Sequence, residues 1–179
     1  DVYEGSPIPV TTFFSIIPKI AGIAVLIRIT MLFFGNEQSI LQIGWLGVIQ
    51  LVAALTMIVG NISALAQKSV KRMLAYSSIG HAGFMLLGIV VVDQTGASAV
   101  VFYGVIYLFM TLAAFFITSF VSDQYGNDNF ERFSGLIYRY PLMSIMMIIT
   151  MFSLTGLPPL AGFVAKFNIL YAAIKSGYF

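Results

Sequence analysis

Five stretches of the chain are apolar almost throughout: residues 10–34, 40–65, 73–92, 97–121 and 141–173. A helix that crosses a bilayer needs roughly 20 such residues. The pattern therefore predicts an all-α, polytopic transmembrane helix bundle, with about five spans in a single transmembrane domain over 1–179. The fifth stretch is too long for one crossing. At about 1.5 Å per residue it would reach roughly 50 Å, against a hydrocarbon core of about 30 Å. In its middle stands Thr155-Gly156-Leu157-Pro158-Pro159-Leu160-Ala161-Gly162. The two prolines remove backbone donors and disfavour helix at the residue before each. Two half-length helices are expected, with a break near 156–162 marked by Gly156, Pro158, Pro159 and Gly162. Irregular backbone at that depth persists only where protein buries it or water lines it. A tight turn between two short spans is the competing reading.

The loops orient the spans. Taken alternately, 67–72 and 122–139 share a side with the N-terminal stretch and carry Lys68, Lys71, Arg72, Arg132 and Arg139. The opposite loops, 35–39 and 93–96, carry no Lys or Arg. This positive-inside bias places 67–72 and 122–139 in the cytoplasm. Lys68, Lys71 and Arg72 are accordingly read as setting topology, and Arg28, near the far end of the first span, as snorkelling to the outer interface.

Composition sharpens the picture by exclusion. Of 179 residues, 59% are hydrophobic and 9% charged, where a soluble domain carries about 25% charged residues. Mean hydropathy is +0.96. A soluble domain, a disordered chain and a nucleic-acid-binding module are excluded, and the formal charge of +2 suggests no polyanionic partner. The absence of cysteine removes thiolate-held iron–sulfur clusters, Cys-ligated zinc and disulfides. The single histidine, His81, rules out a bis-histidine haem within the chain. No cofactor-binding residue and no metal site is expected. The start at Asp1 suggests an internal piece of a longer protein.

Three residues do not belong in lipid. Lys19 lies about nine residues inside the first span, roughly 13 Å from its end. A lysine at the bilayer centre costs about 2.5–3.5 kcal/mol on insertion scales. It reads as a proton-accepting lysine, controlled by burial and by neighbouring charge, or else as a structural partner of a carboxylate elsewhere. Pro18 before it leaves the Phe14 carbonyl without its helical donor. Lys166 follows Pro159 by seven residues, beside a break whose carbonyls and amides can pass an ion along. His81 has Ser77 and Ser78 four and three residues before it, on its own helical face. It suits a proton relay, and a hydrogen-bonded packing histidine fits the spacing equally. Tyr103, Tyr107 and Thr111 recur every four residues as a polar stripe, or as ordinary helix–helix packing. The motifs of soluble enzymes (G-x-G-x-x-G, the P-loop, H-E-x-x-H, G-x-S-x-G) are absent.

Three segments together resemble one family. They are Asp1-Val2-Tyr3-Glu4-Gly5-Ser6-Pro7 with Pro9-Val10-Thr11; Val70-Lys71-Arg72-Met73-Leu74-Ala75-Tyr76-Ser77-Ser78-Ile79-Gly80-His81; and Ser153-Leu154-Thr155 through Phe163-Val164-Ala165-Lys166-Phe167. In wording and spacing they resemble the antiporter-like membrane subunits of bacterial NADH-quinone oxidoreductase (respiratory complex I) over essentially the whole chain. The last two segments also fit the sibling subunits L and M and multisubunit sodium/proton antiporters. The Asp-Val-Tyr-Glu-Gly wording favours the subunit N type. The resemblance implies the eighth to twelfth helices of a fourteen-helix protein built from two inverted repeats. Lys19 then matches the connecting lysine of the eighth helix, Lys166 the terminal lysine of the twelfth, and His81 a histidine between them. Glu4, Ser77, Ser78, Tyr103 and Tyr107 become supporting polar groups. The family's glutamate–lysine pair would lie upstream of Asp1.

The function implied is proton translocation, driven by NADH-to-quinone electron transfer in other subunits. NADH, FMN, iron–sulfur clusters and quinone would be bound there, leaving this chain a non-redox component of the enzyme. Its partners would be other membrane subunits, the lipid bilayer and protons, with no nucleic acid, in the bacterial inner membrane. Protons would enter from the cytoplasm to Lys19, pass His81 to Lys166, and leave outside. Competing readings are a multisubunit Na⁺/H⁺ antiporter subunit, a small-solute transporter, and a scaffold in which both lysines are replaceable.

Overall fold

The computed structural model describes residues 5–34 and 40–177, with backbone alone over 40–43. Among the described residues, eight helices are bounded in order: α1 (Ile8–Phe34), α2 (Ile40–Leu65), α3 (Val70–Ile89), α4 (Gln94–Tyr125), two single turns α5 (Phe130–Phe133) and α6 (Leu136–Arg139), then α7 (Pro141–Thr155) and α8 (Ala161–Lys175). Three of these are long and apolar enough to cross a membrane, over Ile8–Phe34, Gly44–Leu65 and Gln94–Tyr125. Their outward side chains remain apolar and bare; Leu32 is 81% exposed and Leu65 88%. Such surface suits lipid or further helices rather than water. The chain is a multi-pass membrane protein.

The third apolar stretch, expected at 73–92, forms α3 at 70–89 and falls outside that apolar group. The reason is its composition, with Lys71, Arg72, Ser77, Ser78 and His81 among its 20 residues, and its place accommodates them. α3 packs against α1, α2, α4 and α8, so its surroundings are protein, and it carries buried Lys71, Ser78 and His81. Close approach to α2 rests on glycine: a Cβ on Gly60 would lie 2.6 Å from the Gly80 amide, and one on Gly83 would lie 2.9 Å from the Ala53 carbonyl oxygen. Small residues let membrane helices meet this closely.

Caps set the helix ends. Ser69 opens α3 by accepting from the Arg72 amide at 3.2 Å. Asp93 opens α4 by accepting from the Gly96 amide at 2.7 Å, and Gly126, at φ 76°, closes it. α4 therefore runs past the expected 97–121 at both ends. α1 continues past Pro18 without ending there. The polar connector ties back to α3: the Val70 amide donates to the Asp128 carbonyl at 2.9 Å, and the Phe130 amide to the Lys68 carbonyl at 3.3 Å. The α2–α3 turn and the connector thus share one end of the bundle.

The long fifth stretch is two helices of 15 residues each, α7 and α8. Gly156 adopts φ 87°, a left-handed conformation that a side chain resists. Between them lies Leu157-Pro158-Pro159-Leu160, with a cis bond joining the prolines.

Candidate functional site

The two halves of the broken helix satisfy each other's ends. The last four carbonyls of a helix have no partner within it. Those of Phe152 and Ser153 accept from the Gly156 amide at 3.1 and 3.0 Å. Those of Leu154 and Thr155 accept from Lys166 Nζ, at 2.9 and 3.0 Å. In return, the Gly162 amide, in the first turn of α8, donates to Ser153 Oγ at 3.1 Å. The ammonium of Lys166 also stands 4.9 Å from the Phe84 ring centre, a cation–π position. Its stem crosses Gly156, where a Cβ would lie 3.0 Å from Lys166 Cδ. The negative end of the α7 dipole thus faces the Lys166 ammonium.

Lys19, half-buried on α1, donates to Ser78 Oγ on α3. Ser78 in turn donates to the Ala75 carbonyl at 2.5 Å. Three residues further along α3, His81 is 6% exposed. Its Nδ1 shares a hydrogen bond of 2.6 Å with the Tyr103 hydroxyl. Tyr107, whose ring centre lies 5.2 Å from the imidazole, donates its hydroxyl to the Ser15 carbonyl at 3.1 Å. Phe84 stacks on Tyr103 at 6.3 Å, with 17° between the ring planes. Lys19–Ser78, His81–Tyr103 and Phe84–Lys166 thereby lie along a single helix, α3, between α1 on one side and α8 on the other.

His81 and Lys166 both line a half-open groove of about 570 Å³, together with Ser77, Thr155, Gln67 and Phe130. Ser77 thus belongs with the groove, and Ser78 with Lys19 rather than with His81. Glu4 lies outside the described residues. Among the described residues, no group of three or more His, Cys, Asp or Glu is placed to hold a metal.

A family model described as NADH:quinone oxidoreductase/Mrp antiporter, TM, matches residues 1–179. The chain belongs to this family. NADH-quinone oxidoreductase subunit N 2 of Sorangium cellulosum (strain So ce56) is 48% identical over 180 residues, covering 99% of the chain and 36% of that protein. Two solved complexes contain similarly folded chains. The membrane-bound sulfane sulfur reductase, an archaeal respiratory membrane complex, is similar at TM-score 0.85 and 34% identity, over 98% of this chain and 35% of that one. The Mrp complex from Dietzia sp. DQ12-45-1b is similar at TM-score 0.87 and 29% identity, over 99% and 32%. The chain spans about a third of the length of the relatives it matches. These relatives are parts of multisubunit membrane complexes.

In this antiporter-family chain several contributors escape a reading of the sequence. Phe84 looks like one more apolar residue, and Ser153 like a small residue before a break. Lys71 corrects the reading of its cluster as a topology signal alone. It is 8% exposed and its Nζ donates to the Ser6 carbonyl at 2.6 Å, tying the start of α1 to α3. Asp128 completes that end, accepting from the Lys71 amide at 3.0 Å and from the Ser69 hydroxyl. A proline pair followed by lysine at seven residues is a signal for the Lys166 cap; nothing local marks the others.

Proposed function

We propose that this chain is the C-terminal part of the proton path in an antiporter-like, proton-translocating subunit of bacterial NADH-quinone oxidoreductase. The observation that carries the reading is the run of contacts along α3, from Lys19 on Ser78, through His81 and Tyr103, to the Phe84 ring beside Lys166. Protons are taken up from the cytoplasmic side, where 67–72 and 122–139 lie, onto Lys19. They pass His81 and the hydroxyls of Ser78, Tyr103, Tyr107 and Ser77, over bridging water, to Lys166, and leave on the other side. A cation on one lysine raises the cost of a second nearby, so a charge change arriving from a neighbouring subunit drives the transfer. Lys166 holds its proton where two helix-end carbonyls and an aromatic face favour an ammonium.

The residues 1–179 form one transmembrane unit in the bacterial inner membrane, beside other membrane subunits of the complex. The chain has no redox centre of its own. NADH, FMN, iron–sulfur clusters and quinone are bound by those other subunits, whose electron transfer supplies the energy. A cation/proton antiporter subunit uses the same lysines, and the Dietzia Mrp similarity supports that second reading. The higher identity to the Sorangium subunit, 48% against 29%, favours the first.

The test is NADH-driven acidification of vesicles bearing the full complex, with NADH oxidation followed in parallel. Lys19→Met and Lys166→Met are expected to abolish most pumping in assembled complex. Lys166→Arg keeps donors for Leu154 and Thr155 yet does not release a proton, so it is expected to assemble normally and still not pump. Normal pumping in Lys166→Arg would make the lysine a structural cap and overturn the relay.

A further inference from the structure

A second groove, of about 630 Å³, lies where the start of α4 meets the end of α8, at the end of the bundle away from the connector. Each helix gives it one face: Gln94, Ser98 and Phe102 from α4, and Asn168, Tyr171 and Lys175 from α8. The carboxamides of Gln94 and Asn168 and the hydroxyls of Ser98 and Tyr171 have no hydrogen-bond partner among the described residues. Polar groups at the margin of a bilayer are costly without one. The walls reach the outer surface of the bundle at Ser98 and Tyr171, both exposed, so a lipid can enter from the side.

The rim carries charge of both signs. Lys175 lies within electrostatic reach of Asp93, just before α4. The Asp93 carboxylate accepts from Thr95 and Gly96 rather than from the lysine, so the two charges stand apart. From the same rim an aromatic ladder descends α8 toward the break. Tyr171 stacks on Phe167 at 6.3 Å, and Phe167 on Phe163 at 5.9 Å. Eight residues of helix carry the ladder about 12 Å deeper. Its rings are bare: Phe167 is 54% exposed and Tyr171 57%. Phe102, about two turns along α4 from Gln94, borders the groove at depth.

We propose that this groove holds a phosphatidylethanolamine molecule of the surrounding bilayer. Its phosphate sits on Lys175 with Gln94 and Tyr171 donating, its ammonium on Asp93, its ester oxygens on Ser98 and Asn168, and one acyl chain along Phe102 and the Phe163–Tyr171 ladder. The charges choose the occupant. A neutral headgroup leaves Lys175 unanswered, and an anionic one adds a second negative charge beside Asp93. A zwitterion answers both, and a primary ammonium, unlike choline, donates hydrogen bonds to a carboxylate. The inference is independent of the proton path through Lys19 and Lys166.

The test uses the full complex in nanodiscs of phosphatidylcholine that contain a little phosphatidylethanolamine with a diazirine in its acyl chain. After irradiation the labelled peptides are mapped by mass spectrometry. Adducts are expected within 94–102 and 163–171, and unlabelled phosphatidylethanolamine should compete them away better than phosphatidylglycerol or added phosphatidylcholine. Lys175→Gln, at an exposed side chain, should lower these adducts about five-fold, the worth of one basic residue at a membrane surface, relative to adducts elsewhere on the bundle. Asp93→Asn keeps the acceptor at the helix start and should abolish the preference over phosphatidylglycerol. Ser98→Trp fills the groove without touching either charge; it should also cut the adducts, and it carries the test if Lys175→Gln assembles poorly. Adducts spread evenly over the exposed helices, equal competition by every lipid, or no change in Lys175→Gln and Ser98→Trp would overturn the proposal. So would an unlabelled groove on a bundle that labels elsewhere, the result expected if a protein segment covers it.

Discussion

Asp93 shows how a single side chain serves the fold outside the spans. Partial burial pushes its carboxyl upward, but hydrogen bonds from Thr95 and Gly96 and the Lys175 cation outweigh that and hold it below the ordinary carboxylate value. The sign follows directly. A depressed folded value adds stability that is complete above the unfolded value, near 3.9, and is lost as pH falls through the folded one. Asp93→Asn keeps an acceptor at the helix start and removes the titration, so its unfolding temperature should be flatter in that acid window. Asp93→Ala should lower stability by about 0.5–2 kcal/mol at neutral pH. Thermal unfolding of the detergent-solubilised complex across pH 3 to 7 checks both. Phe84 makes the opposite point about legibility. Its apolar neighbours in sequence give no sign that its face meets the ammonium of a lysine 82 residues further on.

Among the elements, the α7–α8 break was the most readable feature and its chemistry the least. Two prolines and two glycines within eight residues forbid a continuous helix wherever they stand. What they do not say is how the severed ends are satisfied. That answer, Lys166 on two carbonyls and Ser153 on an amide, depends on how the halves return to each other in space. The crossing leaves no room at Gly162, where a Cβ would fall 1.8 Å from the Ser153 carbonyl oxygen. Gly162→Ala is therefore expected to force the halves apart, cutting assembled complex severely, whereas Ser153→Ala should cost about 1–3 kcal/mol by leaving one buried amide unmet. Quantifying assembled complex on native gels, with thermal unfolding of what assembles, separates the two. α3 formed close to the expected stretch, but its neighbours were not legible. Its polar residues made it a poor membrane span, and the fold resolves this by surrounding it with other helices.

For the whole bundle, the all-α membrane class followed from apolar run length, because a bilayer leaves few alternatives. The arrangement of helices around α3 did not, since it depends on contacts between residues far apart, such as Lys71 with Ser6 and Asp128 with Ser69. Lys71 joins three segments at the connector end: the start of α1, the start of α3 and the connector. Lys71→Met keeps the buried stem and deletes the charged donor, whose hydrogen bond is worth about 1.5–3 kcal/mol. Lower thermal stability and yield are expected, while Lys68→Met, on an exposed side chain, should change neither. Equal loss in both would show that loop charge, rather than the clamp, holds this end together.

The cross-capped break carries one more consequence. Hydrogen bonds from an ammonium are roughly twice as strong as those from a neutral amine. On the proposed reading of Lys166 as a proton carrier, the grip of α8 on the end of α7 would tighten when the lysine gains a proton and slacken when it loses one. Occupancy of a single site would then be written into the stiffness of a joint.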